Sequence, residues 1–139
     1  MRLLLDTHYA IELIDRSLNP QTDRGHAAIA GDNALNFVSV ASLWEAAIKF
    51  RLGKLPVRTP VEEWPALLRV LRVPLLSITE HHVFAHIGAE PETKDPFDRL
   101  LLGVCAANSL ELLTRDRHLV SHPLAWRDCS WREKIVPNS

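Results

Sequence analysis

MRLLLDTHYAIELIDR, residues 1–16, changes its periodicity at a single aspartate. Arg2 to Leu5 is a short apolar run, whereas from Thr7 to Arg16 the apolar residues Ile11 and Ile14 recur at helical spacing. A strand therefore passes into a helix at Asp6, which stands at the strand's carboxyl end and is placed to cap the helix that follows. The alternation continues down the chain. A connection bearing Pro, Gly and Asn, with a short helix expected near His26 to Ala30, leads to LNFVSV (35–40), a second strand rich in branched and aromatic residues. Ser42 is expected to open a helix, SLWEAAIKFRLG (42–53), that Gly53 stops. TPVEEWPALLRVLR (59–72) reads as another helix, with Thr59 as cap, Pro60 first, Glu62 and Glu63 at the positive end and Pro65 bending it. PLLSI (74–78) reads as a third strand, and Thr79 starts a short helix, EHHVFAHIG (80–88). After the polar loop AEPETK, the stretch DPFDRLLLGVCA (95–106) begins an apolar helix, and LELLT (110–114) is a fourth strand ending beside Asp116. The tail carries Trp126, Trp131 and an apolar pair, Ile135 and Val136, expected as an edge strand.

Strands separated by helices imply an α/β fold with a parallel sheet covered on both faces, and ligands bind such sheets beyond the carboxyl ends of the strands. At 139 residues and 47% hydrophobic content the chain suits one domain, 1–139, with no internal repeat. The net charge of −1 excludes a bulk positive field for gripping polyanions, so any nucleic-acid contact must rest on a local patch. Cys105 and Cys129 form neither a disulfide framework nor a metal-ligand spacing, which suits a reducing cytosol. The opening apolar run is too short for a signal peptide, and no run reaches the roughly eighteen apolar residues of a membrane span. A soluble cytoplasmic protein is expected.

Four acids stand where that architecture puts ligands. Asp6 and Asp116 lie at strand ends, Asp98 begins the helix entering the fourth strand, and Glu45 is expected in the first turn of the helix leaving the second. Singly, each has an ordinary structural use: Ser42 and Glu45 match a capping box, Glu45 can pair with Lys49, and Asp98 can answer the helix dipole. Together they need a cation or shared protons, because like charges at close range repel. Oxygen donors without His or Cys among them suit Mg²⁺ or Mn²⁺ rather than zinc, and such ions serve phosphodiester chemistry. Within DPFD, Asp95 is placed to cap the helix and Pro96 to occupy its first position, which leaves Asp98 free to point outward.

LLLDTH, VASLWEAAIKFRLGKL, DPFDRLLLGVCA and LLTRD, in that order along nearly the whole chain, resemble the PIN-domain ribonucleases of the VapC toxin type. The resemblance implies a three-layer α/β/α sandwich with a mainly parallel sheet and a Mg²⁺- or Mn²⁺-dependent endoribonuclease. It implies Asp6, Glu45, Asp98 and Asp116 as the catalytic acids, with Asp6, Asp98 and Asp116 as metal ligands. It also implies a cognate antitoxin whose tail covers the site. Thr7 and Thr114 match positions where these domains carry a hydroxyl beside the acids.

Arg99, Arg115 and Arg117 neighbour the acids and are candidates for phosphate contact, as is Lys49 from the basic group Lys49, Arg51 and Lys54. His81, His82 and His86 include an i, i+4 pair that could bind a metal, but with no third ligand they read as a solvated helix face. Trp44 and Phe50 read mainly as core, with one face open to a partner or a second copy in a homodimer. Two other functions compete. A non-catalytic PIN-like module would use the acids only to hold a cation or a partner's arginine; a phosphotransfer domain of the receiver or haloacid-dehalogenase type also places aspartates at strand ends, but its phosphatase form needs a second Asp two residues after the first, where this chain has His8.

Overall fold

The computed structural model describes residues 1–55 and 58–128. Four strands, β1 (Arg2–Leu5), β2 (Leu35–Ser39), β3 (Leu75–Leu76) and β4 (Glu111–Leu113), form one sheet in the order β3-β2-β1-β4. All three pairings are parallel, with Leu4 opposite Phe37 on one side and Leu112 on the other. Among the described residues, six α-helices connect and cover them: α1 (Thr7–Ile14), α2 (Arg24–Ala30), α3 (Val40–Arg51), α4 (Trp64–Val70), α5 (Glu80–Phe84) and α6 (Pro96–Asn108).

The central strand shows why this is a three-layer sandwich. Leu3, Leu4 and Leu5 are fully buried, as a strand covered on both faces requires. Their side chains alternate between two cores. Leu3 and Leu5 pack with Tyr9 and Ile14 of α1, Ile29 of α2 and Trp64 and Leu68 of α4, while Leu4 packs with Leu101, Leu102 and Cys105 of α6. The apolar run of α6 thus anchors the helix that DPFD begins.

Several elements depart from the sequence reading. The helix expected from Ser42 starts at Val40, because Ser39, the last residue of β2, is extended and its hydroxyl accepts the Ala41 N–H at 3.0 Å. There is no capping box: Ser42 is buried with its hydroxyl unpartnered, and Glu45 falls in the second turn. The helix expected over 59–72 is a 3₁₀ turn, Val61–Glu63, followed by α4, and Pro65 lies in the first turn of α4, where it interrupts no hydrogen bond. His82 is buried instead of solvated. Its Nδ1 accepts the Thr79 N–H at 3.0 Å and its Nε2 meets Asn108 Oδ1 at 2.8 Å, so it joins α5 to α6. α5 ends at Phe84, which removes the helical His82–His86 pairing. Trp44 and Phe50 are about half exposed, at 57% and 49%, and so lie outside the core. Beyond β4, Ala125 forms a single parallel bridge to Leu112. Trp131, Ile135 and Val136 lie outside the described residues.

Candidate active site

β1 and β4 are neighbours, yet the chain goes from β1 toward β2 and β3 on one side and reaches β4 on the other. This change of direction opens a crevice at the carboxyl ends of the two strands, the usual ligand position in such a sheet. A cavity of about 370 Å³ lies there, lined by Asp6, His8, Glu45, Lys49, Asp95, Asp98, Arg115 and Asp116. The four acids expected to converge do so, and Asp95 joins them.

Each acid is placed by its own element. Asp6 follows β1 directly; its N–H donates to the Leu113 carbonyl at 3.0 Å, which ties it to β4. As N-cap of α1 its Oδ1 accepts the Thr7 N–H at 2.6 Å, and its Oδ2 accepts the Thr114 hydroxyl at 2.5 Å. The Thr7 hydroxyl donates to Glu45, whose other oxygen accepts from Lys49 Nζ at 3.1 Å. A hydrogen-bonded chain therefore runs Thr114, Asp6, Thr7, Glu45, Lys49, from just past β4 through the β1–α1 junction to α3. The two threonines occupy the positions the resemblance assigned to a supporting hydroxyl.

DPFD divides as its spacing implied. Asp95 caps α6, accepting the Phe97 N–H at 2.9 Å, and Pro96 is the first helical residue. Asp98, in the first turn, is buried and faces the other acids. Asp116 lies just past β4; its N–H donates to the Thr114 hydroxyl at 3.0 Å and its Oδ1 accepts the His118 N–H at 2.8 Å, a tight local turn.

The charges in this crevice are poorly balanced. Burial and then the negative charges of Asp95, Asp6 and Asp116 push the Asp98 carboxyl up to about 7. Asp6 is also raised, by burial and by Glu45, against the lowering effects of Thr114, the Thr7 N–H and His8. Such groups hold their charge only with difficulty, and a cation among them would relieve the repulsion. The donor set, hard oxygens with two hydroxyls behind them, fits Mg²⁺ or Mn²⁺ in kind. Among the described residues, no three carboxylate, imidazole or thiolate groups stand close enough together to hold one ion as they are placed.

The basic candidates divide. Lys49 lines the cavity and is paired with Glu45. Arg115 also lines it, but its guanidinium is bonded to Glu12 and Asp23. Arg99 turns to the Ala85 carbonyl at 3.1 Å and to Glu90 at 3.3 Å, and Arg117 is exposed; neither lines the cavity. Two residues were missed. His8 stands on the rim beside Asp6, and Thr93, whose Oγ1 accepts the Asp95 N–H at 3.1 Å, favours the charged form of Asp98. The position of His8 directly after Asp6 and Thr7 in DTH was the available signal for it; nothing in ETK marked Thr93.

No described helix is long and apolar enough to cross a membrane. No curated protein sequence matches the chain. Among solved structures it resembles a crystal structure of VapBC2 from Rickettsia felis bound to a DNA fragment from their promoter. The TM-score is 0.56 at 16% identity, over 90% of this chain and 96% of that one. The PIN domain family model matches residues 3–123, from the second residue of β1 to beyond Asp116. A parallel sheet between two helical layers, with acids gathered at its switch point and a family model spanning nearly all of it, places this chain in the PIN domain family.

Proposed function

We propose that the chain is a divalent-metal-dependent endoribonuclease acting as the toxin of a toxin–antitoxin pair. The observation that carries this reading is the convergence of Asp6, Glu45, Asp98 and Asp116 on one crevice of a PIN fold. Asp6, Asp98 and Asp116 would hold Mg²⁺ or Mn²⁺, which supplies charge neutralisation at the phosphate and a more acidic water for in-line attack. Glu45 is bonded to Thr7 and Lys49, leaving it suited to orient or deprotonate that water. Thr7 and Thr114 orient Glu45 and Asp6. Asp95 holds the start of α6, and so holds Asp98. Lys49 at the cavity wall and Arg117 outside it are placed to meet phosphates of a single-stranded or looped RNA.

The partner follows from the same pocket. The neighbouring fold comes from a VapBC2 complex, and an anionic crevice is complementary to a basic antitoxin tail. A second copy of this chain is expected to cover the exposed Trp44, whose ring meets Phe97 edge-on at 5.2 Å. The reading is tested by incubating the purified chain with total RNA and Mg²⁺ and mapping new 5′ ends. Cleavage stopped by a chelator and restored by Mg²⁺ or Mn²⁺ is expected. Undiminished cutting in excess chelator would end the metal mechanism, and ion binding without cleavage would favour the non-catalytic module.

A further inference from the structure

Arg115 stands between Thr114 and Asp116, but its chemistry lies behind the pocket. Its Nη1 and Nη2 meet the two carboxylate oxygens of Glu12 on α1 at 2.7 and 2.8 Å. Its Nη2 and Nε also reach Asp23 Oδ2 at 2.9 and 3.3 Å. The guanidinium lies 4.0 Å over the Tyr9 ring. An arginine has five N–H donors, so these four bonds leave one.

The acids on the far side of this clamp are themselves fixed. Asp23 caps α2, accepting the His26 N–H at 2.9 Å. The buried His26 accepts the Asn19 N–H on Nδ1 at 2.8 Å, so Nε2 carries the proton and donates it to Glu12. Burial alone would raise Glu12 and Asp23, but hydrogen bonds and the Arg115 charge hold both below the usual carboxylate range. Neither acid lines the crevice.

We propose that Arg115 is a positioning residue: held by Glu12 and Asp23, it fixes the Thr114–Asp116 segment so that Asp116 faces the other acids and Thr114 keeps its bond to Asp6. This rests on the function proposed above. The local bonds of the segment, Asp116 N–H to Thr114 and His118 N–H to Asp116, set its shape but not its place against α1 and α2. That place is set by the β1–β4 pairing, which ends in the Asp6 N–H to Leu113 bond, by the Thr114–Asp6 bond and by the Arg115 clamp. A planar bidentate pair suits the task because it constrains orientation as well as distance. The phosphate-contact role expected from sequence would require the guanidinium to give up carboxylates it already holds.

The test compares Arg115→Gln, Glu12→Gln and the double variant. Readouts are Mn²⁺ binding by electron paramagnetic resonance of the free ion, and kcat and KM on a mapped RNA substrate. Each single variant should weaken Mn²⁺ binding and lower kcat by about 10- to 100-fold with KM nearly unchanged, as loss of a ligand-orienting partner does. The double variant should be no worse than the worse single one, since both break one clamp. Glu12→Gln keeps the side-chain volume, so it carries the test if Arg115→Gln fails to fold. The proposal is overturned by a raised KM at constant kcat, by additive losses, by variants that bind Mn²⁺ like the parent, or by a parent that binds none. If the parent binds Mn²⁺ and the variants bind it weakly, but no RNA is cut, the endoribonuclease reading fails while the positioning role stands.

Discussion

Replacing Asp98 by Asn should make the metal-free protein more stable, by an amount that depends on pH in a defined way. Asp98 moves from an ordinary 3.8 to about 7 in the folded chain, so the folded state resists its ionisation. At about 1.36 kcal/mol per tenfold change, that displacement corresponds to roughly 4 kcal/mol. The carboxyl opens onto a water-accessible crevice, so screening is taken to halve this, leaving about 2 kcal/mol. The sign follows from proton counting. Between pH 4 and 7 the folded state binds more protons at this site than the unfolded state, so the parent loses stability as pH rises through that window. Above pH 7 the loss is complete. Asn keeps the shape and carries no charge. Asp98→Asn should therefore melt about 5–10 °C higher than the parent at pH 8 in chelator, and the gap should shrink as pH falls toward 4. Added Mg²⁺ should raise the parent's melting temperature but not the variant's, because binding to the native state stabilises by mass action. Cleavage by the variant should fall a hundredfold or more. Calorimetry across pH 5–8, with and without Mg²⁺, measures all of this. A variant less stable than the parent at pH 8, or a difference that ignores pH, would refute the charge-repulsion reasoning.

Asp95→Ala should cost about 1 kcal/mol in urea unfolding, the worth of an N-cap, and reduce cleavage only partly; a folded but inert variant would reverse the roles of the two aspartates. Gly25→Ala would put a Cβ 2.2 Å from the Tyr9 hydroxyl, so it should lose about 1–3 kcal/mol of stability through displacement of Tyr9 or α2; an unchanged melting temperature would argue that this packing is loose. Because Glu12 and Asp23 are held low, their contribution is present above the unfolded values near 4 and is lost as pH falls through the folded ones. Acid titration of unfolding should therefore show a shallower loss in Arg115→Gln than in the parent. The inhibitor should insert an Arg or Lys among the acids, in competition with the metal; inhibition that survives removal of every basic residue in the contacting tail would exclude this plug.

What could be read along the chain was local. The change of periodicity at Asp6, the Asp95–Pro96 cap and the strand-ending positions of Asp6 and Asp116 each depend on a few consecutive residues, and all stand in the structure. The parallel sheet followed from the strand–helix alternation. Where two local solutions were equally good, distant residues chose. Ser39 and Ser42 can both cap a helix; β2 ends at Ser39 because Val38 and Ser39 pair with Leu75 and Leu76, so Ser39 becomes the cap and Glu45 moves one turn deeper. His82 is polar on a short helix, and its burial depends on Asn108, 26 residues away. Arg115 beside two acids resembled a phosphate ligand. Its partners, Glu12 and Asp23, are 103 and 92 residues away, and the strand order that brings β4 against β1 decides where the guanidinium points. Backbone preference and capping are interactions within one turn, so the sequence expresses them directly. The direction of a long charged side chain depends on which surfaces the packed layers set beside it, and those surfaces exist only once the sheet has closed its order.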